Sequence, residues 1–355
     1  MGELQVDAAR GDLAAEYRRR KASDTGARAR DIADALGVGE GVLADARRGD
    51  GVRRLRGQGI DFMPLLEGLK AAGPMMTLTR NDAVVHETTG VMGEVAHHGH
   101  MGQVTGPIDL RLFLRHWHVA YAMSEETRSG LRHSVQVFDA AGTAVIKLYA
   151  VGETDQAVWD KAVDERVDDD GAPAQFEAPP PIPADPPDSE IDTAALRDGW
   201  QKLEHSHDFF GLLRRIGVGR EQALRLAGED LAFRADNAIV ERLLNGAASA
   251  RVSIMCFVGN RGCMQIFSGP VERIVPMGPW LNVMDPSFNL HLRTDRVASA
   301  WVVIKPTQLR GRITSVELFD ADRQLICQFF GSRPPGEGER EAWRAVVDQS
   351  IGEPA

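Results

Sequence analysis

The chain is 355 residues long, 43% hydrophobic and 26% charged, and its 51 acidic and 41 basic side chains leave a formal net charge of −10. That length suggests two domains with cores of their own. The acidic balance argues against a broad nucleic-acid-binding surface, so an anionic ligand would need a local basic pocket. No apolar run approaches the roughly 18–20 residues of a membrane span, so the chain is not expected to be membrane-embedded.

The opening stretch, MGELQVDAARGDLAAEYRRRK, is polar, without the apolar core of a signal peptide or the Ser/Thr of a myristoylation signal. The expectation is that the protein stays in the compartment where it is made, a reducing cytosol. Helical patterns come next, in DIADALGVGEGVLADAR (31–47) and FMPLLEGLKAAG (62–73), followed by short runs of alternating apolar residues that end in SVQVFDAAGTAVIKLYAV (134–151). FDAAG reads as a hairpin turn, and a short helix holding Trp159 closes the series. Residues 164–190 are dominated by acids and prolines and read as a solvated, extended linker. The order then starts again. HDFFGLLRRIGVGREQALRLAG (207–228) and NAIVERLLNGAA (237–248) are helical, RVSIMCFVGNRGCMQIFSG (251–269) alternates, FDADR is a second hairpin turn, and Trp343 lies in a closing helix.

The two flanks of the linker match each other segment by segment. SVQVFDA begins at residue 134 and SVELFDA at 315, an offset of 315 − 134 = 181. IDLRL (108–112) and FNLHL (288–292) lie at offset 180, Asn81–Gly90 and Asn260–Gly269 at 179, and LGVGE (36–40) and IGVGR (216–220) again at 180. Offsets this constant indicate a duplicated domain. The expected fold class is α+β: a tandem structural repeat, 1–163 and 191–350, each half with helices packed on a large antiparallel β-sheet. Neither βαβ alternation nor a GxGxxG fingerprint appears, which argues against a dinucleotide fold. Cys256, Cys263 and Cys327 show no CxxC spacing, and Cys256 and Cys263 read as core-filling residues.

Several polar residues carry more than one reading. His205 and His207 stand beside Phe209-Phe210 at a helix entry, and at offset 180 the first copy has Ala27 in place of His207. The residues alone leave open a solvated or capping histidine and an imidazole ligand for iron. In AHHGHMG, His98 and His100 would share a strand face and clasp a metal if the segment were extended; a glycine-flanked polar loop is the other reading. Arg111, between Leu110 and Leu112, either pairs with a neighbouring carboxylate or points into a ligand cleft. Lys305, before Pro306, and Arg333 read as basic residues at strand ends, each by itself ordinary surface charge.

Taken together, ARDIADALGVGEGVLADAR, IDLRLFLRHW, DGWQKLEHSHDFFGLLRR, MCFVGNRGCMQIFSG, WLNVMDPSFNLHL and AWVVIKPT resemble the cytoplasmic haemin-degrading and haem-trafficking factors of Gram-negative bacteria, the HemS/ChuS/PhuS type, from about residue 15 to residue 347. The resemblance implies a cytoplasmic haem-binding protein of haem uptake and iron acquisition, with haem b (iron protoporphyrin IX) beside the second repeat. It implies His207 as the iron ligand, Arg111 on the distal side, and Arg220, Lys305, Gln328 and Arg333 as propionate-binding or pocket residues. Phe257 would be an apolar wall. Partners implied are haem itself and a haem oxygenase or an inner-membrane haem transporter. The family often has Tyr where this chain has Phe330, which removes a phenol hydroxyl from that edge. Two functions need the same pocket: haem carriage, and oxidative opening of the porphyrin with release of iron. Carriage ranks first because the residues display no general acid–base constellation. A duplicated interaction domain without cofactor is the third reading.

Overall fold

The computed structural model describes residues 3–24, 26–127, 130–168, 171–334 and 336–352, with 3–10 as backbone only. The first repeat runs α1 (Glu3–Ser23), α2 (Ala29–Leu36), α3 (Glu40–Ala46), β1 (Val52–Leu55), α4 (Met63–Lys70), β2 (Met75–Arg80), β3 (Val84–Gly90), β4 (Val95–His98), β5 (Met101–Val104), β6 (Asp109–Phe113), β7 (Val119–Thr127), β8 (Gly130–Phe138), β9 (Ala144–Ala150) and α5 (Gln156–Asp164). The second repeats the order: α6 (Thr193–Gln201), α7 (Asp208–Ile216), α8 (Arg220–Leu226), β10 (Ala232–Ala235), α9 (Ile239–Ala250), β11 (Ile254–Gly259), β12 (Cys263–Gly269), β13 (Ile274–Met277), β14 (Trp280–Met284), β15 (Phe288–Arg293), β16 (Ser299–Thr307), β17 (Gly311–Phe319), β18 (Leu325–Gly331) and α10 (Glu341–Ser350). The architecture is the expected α+β tandem repeat. Strand order is also repeated, β1-β7-β8-β9-β2-β3 against β10-β16-β17-β18-β11-β12, with antiparallel meanders β4-β5-β6 and β13-β14-β15.

The turns explain why the repeat was readable. Asp139 Oδ1 accepts from Ala141 N and Thr143 N, each at 2.9 Å, and Asp320 Oδ1 accepts from Asp322 N at 2.9 Å and Gln324 N at 2.8 Å. Each aspartate thereby organises a hairpin through its own side chain. The left-handed residue of the turn is Gly142 (φ 76°) in the first copy and Arg323 (φ 61°) in the second. Trp159 and Trp343 are both buried by the closing helices, and Cys256, Cys263 and Cys327 are core residues as expected.

In the second repeat the sheet is covered on both faces. Val302, Val316, Leu318 and Phe329 pack with Ile239, Leu243, Trp343 and Val347 of α9 and α10. On the opposite face Trp301, Val303 and Phe319 pack with Trp200, Phe209, Leu212 and Leu224 of α6, α7 and α8. Burying both faces produces the nearly continuous buried runs of β16 and β17 where a one-sided sheet would alternate.

The chain divides into two compact units, and each takes in a short segment of the other repeat. The first comprises residues to Arg80, Glu87–Pro180 and Gly259–Gln265; the second comprises Asn81–His86, Pro181–Val258 and residues from Ile266 onward. Within the first unit, Asn260 Nδ2 donates to Val145 O at 2.8 Å and Cys263 joins the core. Within the second, Asn81 Nδ2 donates to Ile326 O at 2.8 Å and Ala83 and Val84 join the core.

Among the described residues, 165–190 has no strand or helix before the short turn at Asp188–Glu190 and is largely exposed, yet it is strapped down. Ala174 is buried, Arg48 Nη2 donates to Gly171 O at 2.8 Å, and Glu177 N donates to Ala140 O at 2.7 Å. At the far end Gln222 Nε2 donates to Pro186 O at 2.7 Å and Arg323 pairs with Asp185 at 3.1 Å. Extended proline-rich backbone makes no internal hydrogen bonds, so its carbonyls are available to such donors.

Candidate functional site

Alternation along β16 and β17 sets out one face of the second sheet. Trp301, Val303 and Lys305 point the same way, and so do Ser315, Glu317 and Phe319. Register places Glu317 opposite Gln328, Gln328 opposite Phe257, and Ser315 opposite Phe330. The apolar helices α6–α8 cover the Trp301–Phe319 end of this face. Where that cover stops, the face presents Lys305, Glu317, Gln328, Phe257 and Phe330, with the two phenylalanine rings edge-on at 5.2 Å.

Glu317 is the centre of this patch and is 0% exposed. Arg220, the first residue of α8, grips it with a fork: Nε donates to Oε2 at 2.7 Å and Nη2 to Oε1 at 2.9 Å. Lys305 Nζ donates to Oε1 at 3.1 Å and Ser315 Oγ at 3.0 Å. The Phe209 ring lies 5.2 Å from the Arg220 guanidinium and 4.9 Å from the Lys305 ammonium. Burial works to raise the Glu317 pKa, but the charges and hydrogen bonds of Arg220 and Lys305 outweigh it and hold the carboxyl well below its usual range. Burial pulls the Lys305 ammonium below its ordinary value, against the attraction of Glu317.

Two expectations change here. Lys305 is not surface charge at a strand end: it is 2% exposed in the body of β16, because Pro306 lies within the strand and does not end it. Nor are Arg220 and Lys305 free cations, since both share the Glu317 carboxylate, so two positive charges and one negative leave this trio at +1. Glu317 was missed. Its signal was in the repeat: SVELF carries Glu317 at the position that SVQVF fills with Gln136, flanked by apolar residues of the opposite face.

His207 stands at the N-terminal boundary of α7 and is exposed. The chain is fixed there by His205 N donating to Asp208 Oδ2 at 2.8 Å, and by Gln308 N donating to Leu203 O at 2.9 Å from the β16–β17 turn. Loss of part of its hydration, then the positive charges of Arg310, His205 and Arg333, lower the His207 pKa. A lowered pKa keeps the imidazole neutral near pH 7, with a ring nitrogen lone pair available to a metal. Phe210 and Leu309 are each 64% exposed on the same elements. Arg333, just past β18, is half-buried, and burial and Arg310 lower its pKa.

Arg111 belongs to the first unit, where it pairs with Asp109 and donates from Nη1 to Leu110 O at 3.0 Å; the neighbouring-carboxylate reading describes its contacts. The strand-face reading of His98 and His100 does not hold. β4 ends at His98, Gly99 turns with φ 55°, and His100 lies in the hairpin turn. His97 lines an open cleft of about 910 Å³ in the first unit with Arg56, Ile60, Met63 and Arg166. Among the described residues no group of three His, Cys, Asp or Glu side chains is placed to hold a metal ion, and no helix is long and apolar enough to cross a membrane.

The model of the haemin-degrading HemS.ChuX domain matches the chain twice, at residues 37–165 and 217–350. The hemin transport protein HemS of Yersinia enterocolitica is 38% identical over 337 residues, covering 94% of this chain and 95% of that protein. The crystal structure of holo-PhuS, a heme-binding protein from Pseudomonas aeruginosa, superposes with a TM-score of 0.91 at 42% identity, covering 96% of this chain and 98% of the other. ChuS, a heme degrading enzyme of Escherichia coli O157:H7, gives a TM-score of 0.89 at 36% identity, covering 97% of this chain and all of its own.

Proposed function

This chain belongs to the haemin-degrading HemS.ChuX domain family, and on that premise we propose that it binds one haem as cargo, haem b, in the cytoplasm, as a step in haem uptake and iron acquisition. His207 is the axial ligand. The observation that carries this reading is an exposed imidazole at a helix boundary, with Arg310 and Arg333 near it and Phe210 and Leu309 exposed on the same elements. A flat dianionic tetrapyrrole asks for a nitrogen donor, apolar faces and cations for its carboxylates, and the residues present fit those three demands. Arg333, Gln328, Lys305 and Arg220 serve the propionates and Phe257 forms an apolar wall. Arg111 is carried over as the distal donor from the resemblance alone. The functional repeats are taken as 1–163 and 191–350.

Haem titration followed by absorbance tests this. His207→Ala should weaken haem binding and shift the Soret band, whereas His97→Ala should do neither; an unchanged spectrum for His207→Ala removes the assignment. The E. coli relative's description as a heme degrading enzyme favours a second reading, oxidative opening of the bound porphyrin. Loss of the bound-haem spectrum on addition of reductant and oxygen, unaffected by catalase, supports degradation; stable haem that transfers only to an added haem oxygenase or inner-membrane transporter supports carriage.

A further inference from the structure

We propose that Glu317 is a positioning residue that sets the preference of this site for a tetrapyrrole with free carboxylates, an inference that rests on the haem-binding reading above. Arg220 comes from the start of a helix and Lys305 from a strand, yet both converge on the two oxygens of one carboxylate, at 2.7 to 3.1 Å. Two cations do not approach each other unaided. Lys305 is 2% exposed and Glu317 0% exposed, so neither can rely on water to solvate its charge. Glu317 is the counterion that keeps the ammonium charged in that position and gives the guanidinium its direction. Ser315 holds Oε1 from a third side at 3.0 Å, and Phe209 backs both cations, so the carboxylate is held in place as well as charged.

The consequence concerns selectivity more than attraction. With Glu317 present, the patch is a fixed pair of donors with a net charge of +1. Of the pair, Arg220 is the partly exposed member, and it is the guanidinium that can meet a carboxylate arriving beside Gln328 and Phe330. Without it, Arg220 swings toward water, since it is already partly exposed, and Lys305 is left as a buried charge with no counterion. Neither His207 nor Phe257 is among the hydrogen-bond partners of Glu317. Glu317 therefore acts on recognition of the acid side chains and leaves the grip on the ring alone.

The test uses the full chain with two probes, haemin and haemin dimethyl ester, each titrated by absorbance. The wild-type chain should bind the diacid more tightly than the ester. Glu317→Gln should lose roughly tenfold of that preference, the scale of a lost charged hydrogen bond, while its affinity for the ester stays within about twofold of wild type. Glu317→Asp keeps the charge but is too short to reach both cations, and should fall between the two; it decides the matter if Glu317→Gln does not fold. Equal weakening for both probes would reduce Glu317 to a structural role and overturn the proposal, and an unchanged preference would do the same. A wild-type chain that binds neither probe strikes the haem-binding reading itself, before any variant is compared.

Discussion

The face that holds Arg220, Lys305, Glu317 and Gln328 in the second repeat holds Glu40, Glu125, Gln136 and Lys147 in the first, at offsets of 180, 180, 181 and 181. Register supports the match: Gln136 pairs with Lys147 as Glu317 pairs with Gln328. In the first repeat the charges close on themselves. Lys147 pairs with Glu40, both buried, and Glu125 takes Arg47 at 2.8 Å and the Tyr17 hydroxyl of α1 at 3.0 Å. In these pairs two carboxylates face two cations, with the half-buried Arg80 guanidinium close to Glu40 and Lys147. The second repeat inverts the signs at 40/220 and 125/305 and retains a net positive charge, with a histidine where the first has Ala27. Duplication kept the scaffold and the register; both faces are largely buried, and what separates them is which charges they hold.

The comparison breaks most sharply at Lys147. Lys147→Met should cost about 3–5 kcal/mol in denaturant unfolding, because it leaves Glu40 buried without a counterion. The double variant with Glu40→Leu should recover most of that loss, and haem affinity should not change in either. A fall in haem affinity with Lys147→Met would mean that the Glu40–Lys147 core of the first repeat shares in the binding.

Both repeats should contribute to the acid limb of stability, through Glu317 in the second and through Glu125 in the first, where burial raises the pKa but Arg47 and Tyr17 outweigh it. Glu317 has a folded pKa below its unfolded value, so its contribution is fully present above the ordinary glutamate range near ~4.3 and is lost as pH falls toward the folded value. In the first repeat the attraction of Glu40 overcomes burial and raises the Lys147 pKa, so its contribution is fully present below the ordinary lysine value and is lost as pH rises through the folded one. Unfolding measured against pH should show Glu317→Gln flattening the acid limb and Lys147→Met the alkaline limb. The reverse pattern would contradict the charge assignment.

A smaller difference lies in the twin hairpins. Gly142→Ala should cost about 1–2 kcal/mol, because the residue is left-handed and its added Cβ would lie 3.3 Å from Val42 N, whereas Arg323→Gly should be nearly neutral. Thermal unfolding of the two variants separates them.

The duplication was legible because its marks are local: aspartates that bond their own turns, and apolar residues with a period of two. His207 stood out as a difference between copies. Lys305 was misplaced because a following proline looks like a strand end, and only the pairing of Pro306 with Arg312 shows the strand running on. Glu317 was hidden because alternation turns it away from Val316 and Leu318, onto a face whose neighbours come from a helix about 97 residues earlier in the chain. The segments Asn81–His86 and Gly259–Gln265 match each other in sequence, but a constant offset does not reveal which compact unit a hairpin tip joins. Straps on the linker run largely through its backbone groups, which any residue supplies.

The stoichiometry of haem binding tests the contrast between the repeats most directly. Haemin titrated into the full chain should saturate at one equivalent, and His207→Ala should lose that equivalent while the fold stays intact. Saturation at two equivalents, or an undiminished single equivalent in His207→Ala, would contradict the assignment of the site to the second repeat.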